Sequence, residues 1–285
     1  MRIGLLGGSG LVGRDLIDSA PFFGFEVVIF SRDPQGLEGY RTYKDLKDST
    51  DLDALLNLVG GHRSPNTSQS SMAILEIDLA ATAWSKRFDR PYIYMSSGAV
   101  FPKSSFPVTV QSPTMNSDGL SSYENLKAHI EDQHSRANKS GSNVTDLRLF
   151  SFTGEQMIER GDYLLSNIFA AGLNRSSFQL TGSSFLRDYV GASEVWQAIR
   201  GILSIGGIRR FNLFSGEPIT RHEVASIFEE SFPDWEGLSN CSAKEMQTLY
   251  YSNRDSQIPD YTPRSSARAI RDTVRALIHK KKPEA

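Results

Sequence analysis

The chain has 285 residues, of which 39% are hydrophobic and 22% charged, and its formal net charge is -2. These values are typical of an ordinary globular protein and exclude collagen-like, disulfide-rich and disordered classes. A charge near neutrality also argues against nucleic acid or a membrane surface as a partner, because both attract a clustered basic excess. No apolar run approaches the roughly 20 residues that span a bilayer.

The cysteine content bears on the cellular setting. Cys241 is the single cysteine, so it cannot form an internal disulfide, and no metal-ligand spacing surrounds it. The chain begins directly with a strand-like apolar run and leaves no room for a signal peptide. We therefore expect a protein of the cytoplasm, a reducing compartment, with no bound metal.

The first thirty residues predict a strand, a helix and a second strand. Ile3–Leu6 is a short apolar run, Leu11–Ala20 has helical spacing, and Glu26–Phe30 is rich in Val and Ile. A glycine cluster separates the first strand from the helix. This order is that of a βαβ unit with parallel strands.

Later segments continue the alternation of strands and helices. Ser121 is followed three residues later by Glu124, which is the pattern of a capping box, and the helix it opens should run to about Asn138. Further elements are predicted as strands at Leu52–Val59, Pro91–Met95 and Asn143–Phe150, and as a helix at Met72–Arg87. The alternation predicts an α/β fold, a Rossmann doubly wound parallel sheet, with a smaller C-terminal substrate-binding lobe.

The texture of the sequence changes after about residue 150. Gly154–Asp162, Asn174–Ser177 and Ser252–Pro263 are polar and predict loops. We expect a Rossmann dinucleotide-binding domain over residues 1–150 and a mainly substrate-binding lobe over residues 151–285. A helix near residues 188–203 should return to the first domain.

The glycine cluster after the first strand predicts a dinucleotide site. Gly7, Gly10 and Gly13 have the spacing G-x-x-G-x-x-G, and Gly8 also completes G-x-G-x-x-G. Glycines at this spacing permit a tight turn and a close approach of the backbone to a pyrophosphate, which then lies at a helix N-terminus. The context, between a strand and a helix, is the one this motif requires. The predicted contacts are Gly7, Gly10, Leu11, Val12 and Gly13.

The end of the second strand bears on the choice of cofactor. An acidic residue there usually accepts the 2'-hydroxyl of NAD, whereas a cation faces the 2'-phosphate of NADP. Ser31 and Arg32 occupy this place, so the carboxylate is missing and a guanidinium is present. At about 5 Å and an effective dielectric near 20, one phosphate charge and Arg32 attract by roughly 3 kcal/mol before desolvation. We therefore expect NADP rather than NAD.

Tyr123 and Lys127 are four residues apart on a predicted helix and so lie on one face. A tyrosine is a poor base at neutral pH because its phenol titrates near about 10, but a lysine ammonium and a helix N-terminus both favour the phenolate. Ser97, at the end of the preceding strand, could donate a hydrogen bond to the oxygen of a reacting carbonyl. These residues form a candidate catalytic set.

The chain resembles the extended short-chain dehydrogenases/reductases of the NAD-dependent epimerase/dehydratase family over nearly its whole length. The motifs that carry the resemblance occur in order at Gly7–Gly13, Leu56–Gly61, Tyr94–Phe101, Tyr123–Lys127, Leu147–Gly154 and Arg187–Val190. The resemblance implies a nucleotide-linked sugar as substrate, a homodimer, and catalysis by the serine, tyrosine and lysine above. It also implies that Leu58, Tyr123 and Lys127 contact the cofactor, and that Ser97, Ser151 and Arg187 contact the substrate, with Arg187 at its diphosphate.

Departures from the family pattern narrow the reaction. Dehydratases of the family carry an Asp-Glu pair after the catalytic hydroxyl residue, and this chain has Gly98 and Ala99 there. Elimination of water is therefore not expected. Leu126 replaces a small hydroxyl residue, Ser151 a substrate-contacting asparagine, and Glu155 a proline. These changes leave the orientation of the substrate open.

Three functions follow from these observations. The first expectation is a reductase, in which NADPH reduces a keto group of a nucleotide-linked deoxy sugar while Tyr123 supplies a proton. The second is an epimerase that retains its cofactor and uses the same residues. The third, of another class, is a dinucleotide sensor without catalysis, against which the intact tyrosine and lysine argue. The five histidines are interpreted as surface or helix residues rather than catalysts.

Overall fold

The fold is described from a computed structural model. It describes residues 1–31, 40–60, 68–102, 106–115, 122–180, 185–206, 210–240, 248–250 and 257–281. The strands in chain order are β1 (Arg2–Leu6), β2 (Glu26–Ser31), β3 (Tyr40–Thr42), β4 (Ala54–Asn57), β5 (Tyr92–Ser97), β6 (Val144–Leu149), β7 (Phe178–Leu180), β8 (Phe185–Arg187), β9 (Arg210–Leu213), β10 (Ile219–Thr220), β11 (Leu238–Asn240) and β12 (Thr248–Tyr250). The α-helices are α1 (Leu11–Ser19), α2 (Ser68–Phe88), α3 (Tyr123–Lys139), α4 (Glu155–Arg160), α5 (Leu164–Asn174), α6 (Ala192–Ile205), α7 (Arg221–Ser231) and α8 (Ser266–Lys281). Short 3₁₀ helices lie at Ala20–Phe23, Tyr43–Asp48 and Gly98–Val100.

A seven-stranded sheet in the order β3, β2, β1, β4, β5, β6, β9 forms the centre of the fold. All of its neighbouring strands pair in parallel. Strands β2 and β3 lie on one side of β1, and the later strands of this sheet lie on the other, so the order of addition switches sides at β1. In open α/β sheets, ligands bind outside the carboxyl ends of the strands at such a switch point. The predicted Rossmann doubly wound sheet is confirmed. The sequence patterns did not reveal β3, a short edge strand of three residues.

Helices cover both faces of the sheet, as a parallel sheet requires. One core cluster packs α1 and α6 on the face that carries Ile3, Leu56 and Ile93. Another packs α2 and α3 on the opposite face, with Trp84 and Leu126 fully buried there. Within the described part of the chain, no helix combines the length and the apolar character needed to cross a bilayer.

A separate hydrophobic cluster lies in the carboxyl-terminal half and joins α5, α7 and α8 with β8. Two small sheets accompany it, one in the order β10, β8, β12 and one that pairs β11 with β7. The predicted loop at Gly154–Asp162 is wrong in part, because Glu155–Arg160 forms α4. The carboxylate of Asp15 on α1 accepts hydrogen bonds from the Gln156 and Met157 amides at 3.0 and 3.3 Å. This capping comes from a distant residue, so the local sequence gave no sign of the helix.

Two predicted helix starts also need correction. The cap of α3 is Ser122, whose side chain accepts a hydrogen bond from the Asn125 amide, and not Ser121. The pattern pairs Ser121 with Glu124, whereas Asn125 stands three residues after Ser122, so the cap lies one residue later than the sequence pattern indicates. Helix α6 begins at Ala192 rather than near residue 188, because Asp188 instead accepts hydrogen bonds from Ser215.

Trp196 packs α6 against α1, the helix that follows the glycine cluster. Its side chain is fully buried, its indole N–H donates to the Leu16 carbonyl at 2.9 Å, and its ring packs 4.9 Å from that of Phe25. A buried tryptophan that also satisfies its polar atom contributes both apolar area and a hydrogen bond.

We predict that Trp196→Ala destabilises the protein by about 3–5 kcal/mol, because it leaves a cavity between α6 and α1. Urea unfolding followed by circular dichroism measures the change. Phe22→Ala is the control, since Phe22 is 87% exposed and should change stability by less than about 0.5 kcal/mol. A loss below about 1 kcal/mol for Trp196→Ala would contradict the packing described here.

Candidate active site

The glycine loop leaves its helix N-terminus open to an anion. Gly7 has a φ of +80°, and a Cβ at Gly13 would lie 2.6 Å from the Gly8 Cα and 2.7 Å from the Gly7 carbonyl oxygen. Gly10 is the N-cap of α1, where the described residues supply no side-chain hydrogen bond. The backbone amides of the first turn can therefore receive a phosphate group. The loop fits the pyrophosphate of a dinucleotide.

The predicted ribose-binding residues are only partly described. Ser31 is the last residue of β2 and is 9% exposed. It lies at the carboxyl edge of the sheet, where the adenosine ribose is expected. Arg32 lies outside the described residues, so its role remains a prediction from the sequence.

A cavity of about 740 Å³ opens beside the glycine loop. Its lining includes seven residues that the sequence analysis assigned to the cofactor, catalytic or substrate site: Val12, Leu58, Ser97, Tyr123, Lys127, Ser151 and Arg187. The loop before Val12 and the turn of α1 around it are formed by Gly7, Gly10, Leu11 and Gly13. The predicted catalytic and substrate residues thus line one cavity together with Val12 and Leu58 of the predicted cofactor site, whereas Ser31 is not part of its lining.

Ser97 is fixed at the carboxyl end of β5. It is 6% exposed and is the N-cap of the 3₁₀ helix Gly98–Val100, where its Oγ accepts a hydrogen bond from the Ala99 amide at 3.1 Å. Pairing with β6 on one side holds the strand beneath it. The hydroxyl is therefore oriented by its own backbone turn rather than by a flexible loop.

Tyr123 and Lys127 occupy the first two turns of α3. Tyr123 is the first helical residue, so its ring lies at the positive end of the helix dipole. The Lys127 Nζ is 5.8 Å from the centre of the Tyr123 ring and donates a hydrogen bond to the Met95 carbonyl at 2.9 Å. Both side chains face the cavity, and Met95 and Ser97 lie on the same strand.

Lys127 is held in an unusual environment for an ammonium, since it is only 3% exposed. Burial lowers the pKa of Lys127 to about 8, although the carboxylates of Asp78, Glu131 and Asp146 favour its charged form. The positive charge of Lys127 is therefore poorly hydrated, and its nearest partners determine how strongly it acts on the phenol of Tyr123.

Arg187, at the end of β8, also lines the cavity. Its guanidinium is 4.8 Å from the centre of the Phe185 ring, and its buried Nε has no hydrogen-bond partner among the described residues. A buried guanidinium N–H without an acceptor suits an anionic ligand.

The positions that hold acidic residues in dehydratases are closed by an aromatic ring. A Cβ at Gly98 would lie 2.5 Å from a carbon of the Phe150 ring, and Phe150 in turn stacks on Phe101 with ring centres 6.2 Å apart. Ala99 is buried. Hence the backbone at Gly98 has no space for an acidic side chain unless Phe150 moves.

Several functional residues of this site were missed by the sequence analysis. Phe150, Met157, Asp162 and Tyr163 also line the cavity. Tyr94 lies under Lys127, with the Nζ 4.3 Å from its ring centre. The alternation of Tyr94 and Ser96 on one face of β5 was a usable signal for Tyr94. Phe150 directly follows β6, whereas Met157 on α4 and Asp162 and Tyr163 between α4 and α5 reach the cavity only through the tertiary fold.

The described residues contain no cluster of His, Cys, Asp or Glu side chains arranged to hold a metal ion.

A family model described as NAD dependent epimerase/dehydratase family matches residues 3–212 of the chain. No curated protein matches the chain significantly. Among solved structures, UDP-N-acetylglucosamine 4-epimerase from Bacillus cereus has a TM-score of 0.80 at 19% identity and covers 97% of this chain and 99% of its own.

Two further solved structures are similar. UDP-glucuronic acid 4-epimerase from Bacillus cereus, in complex with UDP-glucuronic acid and NAD, has a TM-score of 0.75 at 16% identity, with 97% of this chain and 100% of its own covered. The dTDP-glucose 4,6-dehydratase from Bacillus anthracis, in complex with NAD, has a TM-score of 0.75 at 14% identity, with 100% and 98% covered. At these identities the likeness shows a shared fold.

We predict that Lys127→Met makes the protein more stable at pH 7, by up to roughly 3 kcal/mol, because the buried charge is removed. Below pH 8 the wild-type lysine is charged in both the folded and the unfolded states, so its penalty is fully present. Between about 8 and 10.5 the folded lysine loses its proton first, and the advantage of the variant should shrink. Urea unfolding at several pH values measures this difference.

Lys44→Met is the control for that experiment, because Lys44 lies far from the cavity on the 3₁₀ helix Tyr43–Asp48 and is exposed. An advantage of Lys127→Met that does not depend on pH would refute the assigned environment of this lysine.

Proposed function

Because the chain belongs to the NAD-dependent epimerase/dehydratase family and is an enzyme of the extended short-chain dehydrogenase/reductase type, we propose that it epimerises a hydroxyl-bearing carbon of a nucleotide-linked sugar. The observation that carries the proposal is that Ser97, Tyr123, Lys127 and Arg187 line one cavity. Val12, which follows the glycine loop, lines it too, so a dinucleotide and a second anionic ligand can meet there.

The roles of the catalytic side chains follow from their positions. The Tyr123 phenolate takes the proton of the sugar hydroxyl, and the neighbouring ammonium of Lys127 and the start of α3 stabilise its negative charge. The Ser97 hydroxyl donates to the sugar oxygen as it becomes a carbonyl. A bound NAD would accept the hydride from the same carbon and return it. When the hydride returns to the opposite face of that carbon, Tyr123 gives the proton back to the sugar oxygen.

The diphosphate of the substrate is assigned to Arg187. The unpaired Nε and the stacking of the guanidinium on Phe185 hold a planar donor at the cavity wall. The UDP-sugar in the solved epimerase complex supports a substrate of this class. Ser151 has a small side chain where relatives carry an asparagine. It leaves the sugar end of the cavity less constrained, which suits a keto-sugar intermediate that must rotate to present its other face.

Net reduction is the second candidate, and Ser31 with Arg32 favours it. A consumed reductant is usually supplied as NADPH, and this strand end has the residue types of an NADP site. The two solved relatives that contain NAD support the unphosphorylated cofactor instead. Dehydration is the least favoured outcome, because the ring of Phe150 fills the space beside Gly98 where an acid would be required.

The decisive experiment measures cofactor stoichiometry. The enzyme is incubated with NAD and, separately, UDP-glucose, UDP-glucuronic acid and UDP-N-acetylglucosamine, and then with NADPH and a 4-keto-6-deoxy nucleotide-sugar. Epimerisation predicts the 4-epimer without net change in nicotinamide absorbance. Loss of one NADPH for each product formed would replace the epimerase assignment by the reductase. No conversion in either arm would count against both functions.

We predict that Tyr123→Phe lowers kcat by roughly 100-fold or more, since general acid–base catalysis contributes about 100 to 10,000-fold. Dinucleotide binding, followed by fluorescence, should survive because the glycine loop is unchanged. Tyr43→Phe is the matched control, as Tyr43 packs on the far side of the sheet edge. A loss of less than tenfold with the identified substrate would remove Tyr123 from the mechanism.

We predict that Arg32→Ala weakens NADPH binding at least tenfold and leaves NADH binding nearly unchanged, if Arg32 faces a 2'-phosphate. Titration of both reduced cofactors into the wild type and the variant measures the preference. Equal binding of both by the wild type would assign the site to NAD and weaken the reductase alternative.

A further inference from the structure

A buried polar layer lies between the sheet and the helices α2 and α3, directly beneath the catalytic lysine. Its sheet side includes a row of residues paired in register across neighbouring strands: Asn57 on β4, Tyr94 on β5, Asp146 on β6 and Arg210 on β9. All but Arg210 are buried. Polar side chains in the middle of a parallel sheet need an explanation, because such sheets are normally apolar on both faces.

Tyr94 forms the floor on which the Lys127 ammonium rests. The Nζ of Lys127 lies 4.3 Å from the centre of the Tyr94 ring, closer than the 5.8 Å that separates it from the Tyr123 ring. The Tyr94 side chain is fully buried, and its hydroxyl has no hydrogen-bond partner among the described residues. The contact that Tyr94 makes with the lysine is thus through its ring and not through its hydroxyl.

His134 fixes the other edge of the Tyr94 ring. It lies seven residues after Lys127 on α3, so both side chains project from the same face of the helix toward the sheet. Its ring is nearly perpendicular to that of Tyr94, at 77° with centres 5.1 Å apart, and also meets Tyr92 edge to face. The imidazole therefore cannot move without moving the ring beneath the lysine.

Two carboxylates hold His134 in its protonated form. Its Nδ1 is 2.6 Å from an oxygen of Asp146, and its Nε2 is 3.1 Å from both oxygens of Asp78, which also accepts a hydrogen bond from the Tyr92 hydroxyl. Burial lowers the pKa of His134, but the negative charges of Asp146 and Asp78 outweigh burial and raise it to about 10. A cation at His134 explains why two buried carboxylates can lie this close together.

The charged and titratable groups around Lys127 come from every element that packs on it. They are Asp78 on α2; Tyr123, Glu131 and His134 on α3; Tyr92 and Tyr94 on β5; Asp146 and Arg148 on β6; and Arg210 on β9. Glu131 is already engaged by the Arg148 guanidinium and by Ser96. The Tyr94 ring is therefore the direct contact between Lys127 and this layer.

We propose that Tyr94 is a positioning residue for Lys127, and that the His134 imidazolium, fixed by Asp78 and Asp146, holds the Tyr94 ring in place. This inference rests on the proposed function, since it takes Lys127 as the residue that acts on Tyr123. The ring face stabilises the ammonium where water is absent, and the two carboxylates add long-range attraction. Tyr94 acts through the lysine and need not touch the substrate.

The experiment follows the titration of Lys127 itself, so it needs no substrate. Lysine labelled with ¹³C at Cε is incorporated into the whole protein, and the Lys127 resonance is assigned by its loss in Lys127→Arg. Tyr94→Leu removes the ring, and Tyr94→Phe keeps it. We expect Tyr94→Leu to lower the pKa of Lys127 by roughly one unit, a tenfold change in the deprotonated fraction, while Tyr94→Phe titrates as the wild type does.

Asp78→Asn, which is nearly isosteric, tests the long-range attraction of the carboxylates on Lys127. It should also lower the pKa of Lys127, because it removes a carboxylate while its amide oxygen can still accept from Tyr92. Asp132→Asn is the control, as Asp132 is an exposed residue of α3 paired with Arg136, and should leave the titration unchanged. With substrate in hand, the alkaline limb of the kcat profile should move to lower pH in Tyr94→Leu.

The outcomes are separable. An unchanged Lys127 titration in folded Tyr94→Leu overturns the positioning role, whatever the enzyme turns over. If Tyr94→Leu does not fold, Tyr94→Met takes its place, and an unshifted Lys127 titration there overturns the proposal. An equal shift in Tyr94→Phe and Tyr94→Leu would also overturn it, because the hydroxyl and not the ring would then be responsible. A failure of the proposed function would instead appear as turnover that survives Tyr123→Phe.

Discussion

A buried ammonium is the constraint on which the candidate site depends. Lys127 is almost completely removed from water, and its charge has one direct hydrogen bond to a carbonyl, Met95. A charge in such a place is stable only when polar groups are arranged around it beforehand. The polar layer between the sheet and α3 meets this requirement, because strands place Asp146 and the Tyr94 ring while α2 and α3 place Asp78 and Glu131.

The position of Lys127 follows from how the strands and α3 are joined. Strand β5 carries Tyr94 beneath the lysine and ends in Ser97 at the cavity, and pairing with β4 and β6 on both sides fixes its register. Helix α3 begins with Tyr123 and presents Lys127, Glu131 and His134 to the sheet on successive turns. Strand β5 and helix α3 therefore set the relative positions of all three candidate catalytic side chains.

Local sequence was sufficient wherever a motif and its structural element coincide. The glycine cluster predicted the first helix start because the turn needs a positive φ at Gly7 and leaves no room for a Cβ at Gly13. The four-residue spacing of Tyr123 and Lys127 placed them on one face because they share a helix. The strands were predicted from apolar runs, although β4 is shorter than its run, Leu52–Val59.

What the sequence did not reveal depends on residues distant from each other in the chain. His134 was interpreted as an ordinary surface or helix residue, since nothing near it in sequence indicates that Asp78 and Asp146 would enclose it. Helix α4 was taken for a loop because its cap, Asp15, is supplied by α1. The expected preference for NADP came from residue types at the end of β2, and Arg32 lies outside the described residues.

A crystal structure of the chain with NAD and UDP-glucuronic acid tests the central claim most directly, that a dinucleotide and a nucleotide-sugar meet in this cavity. The account predicts the pyrophosphate of NAD at the amides that follow Gly10, the sugar oxygen within hydrogen-bond distance of Ser97 and Tyr123, and the substrate diphosphate on Arg187. A nucleotide-sugar bound outside the cavity, or with its hexose directed away from Tyr123, would contradict it.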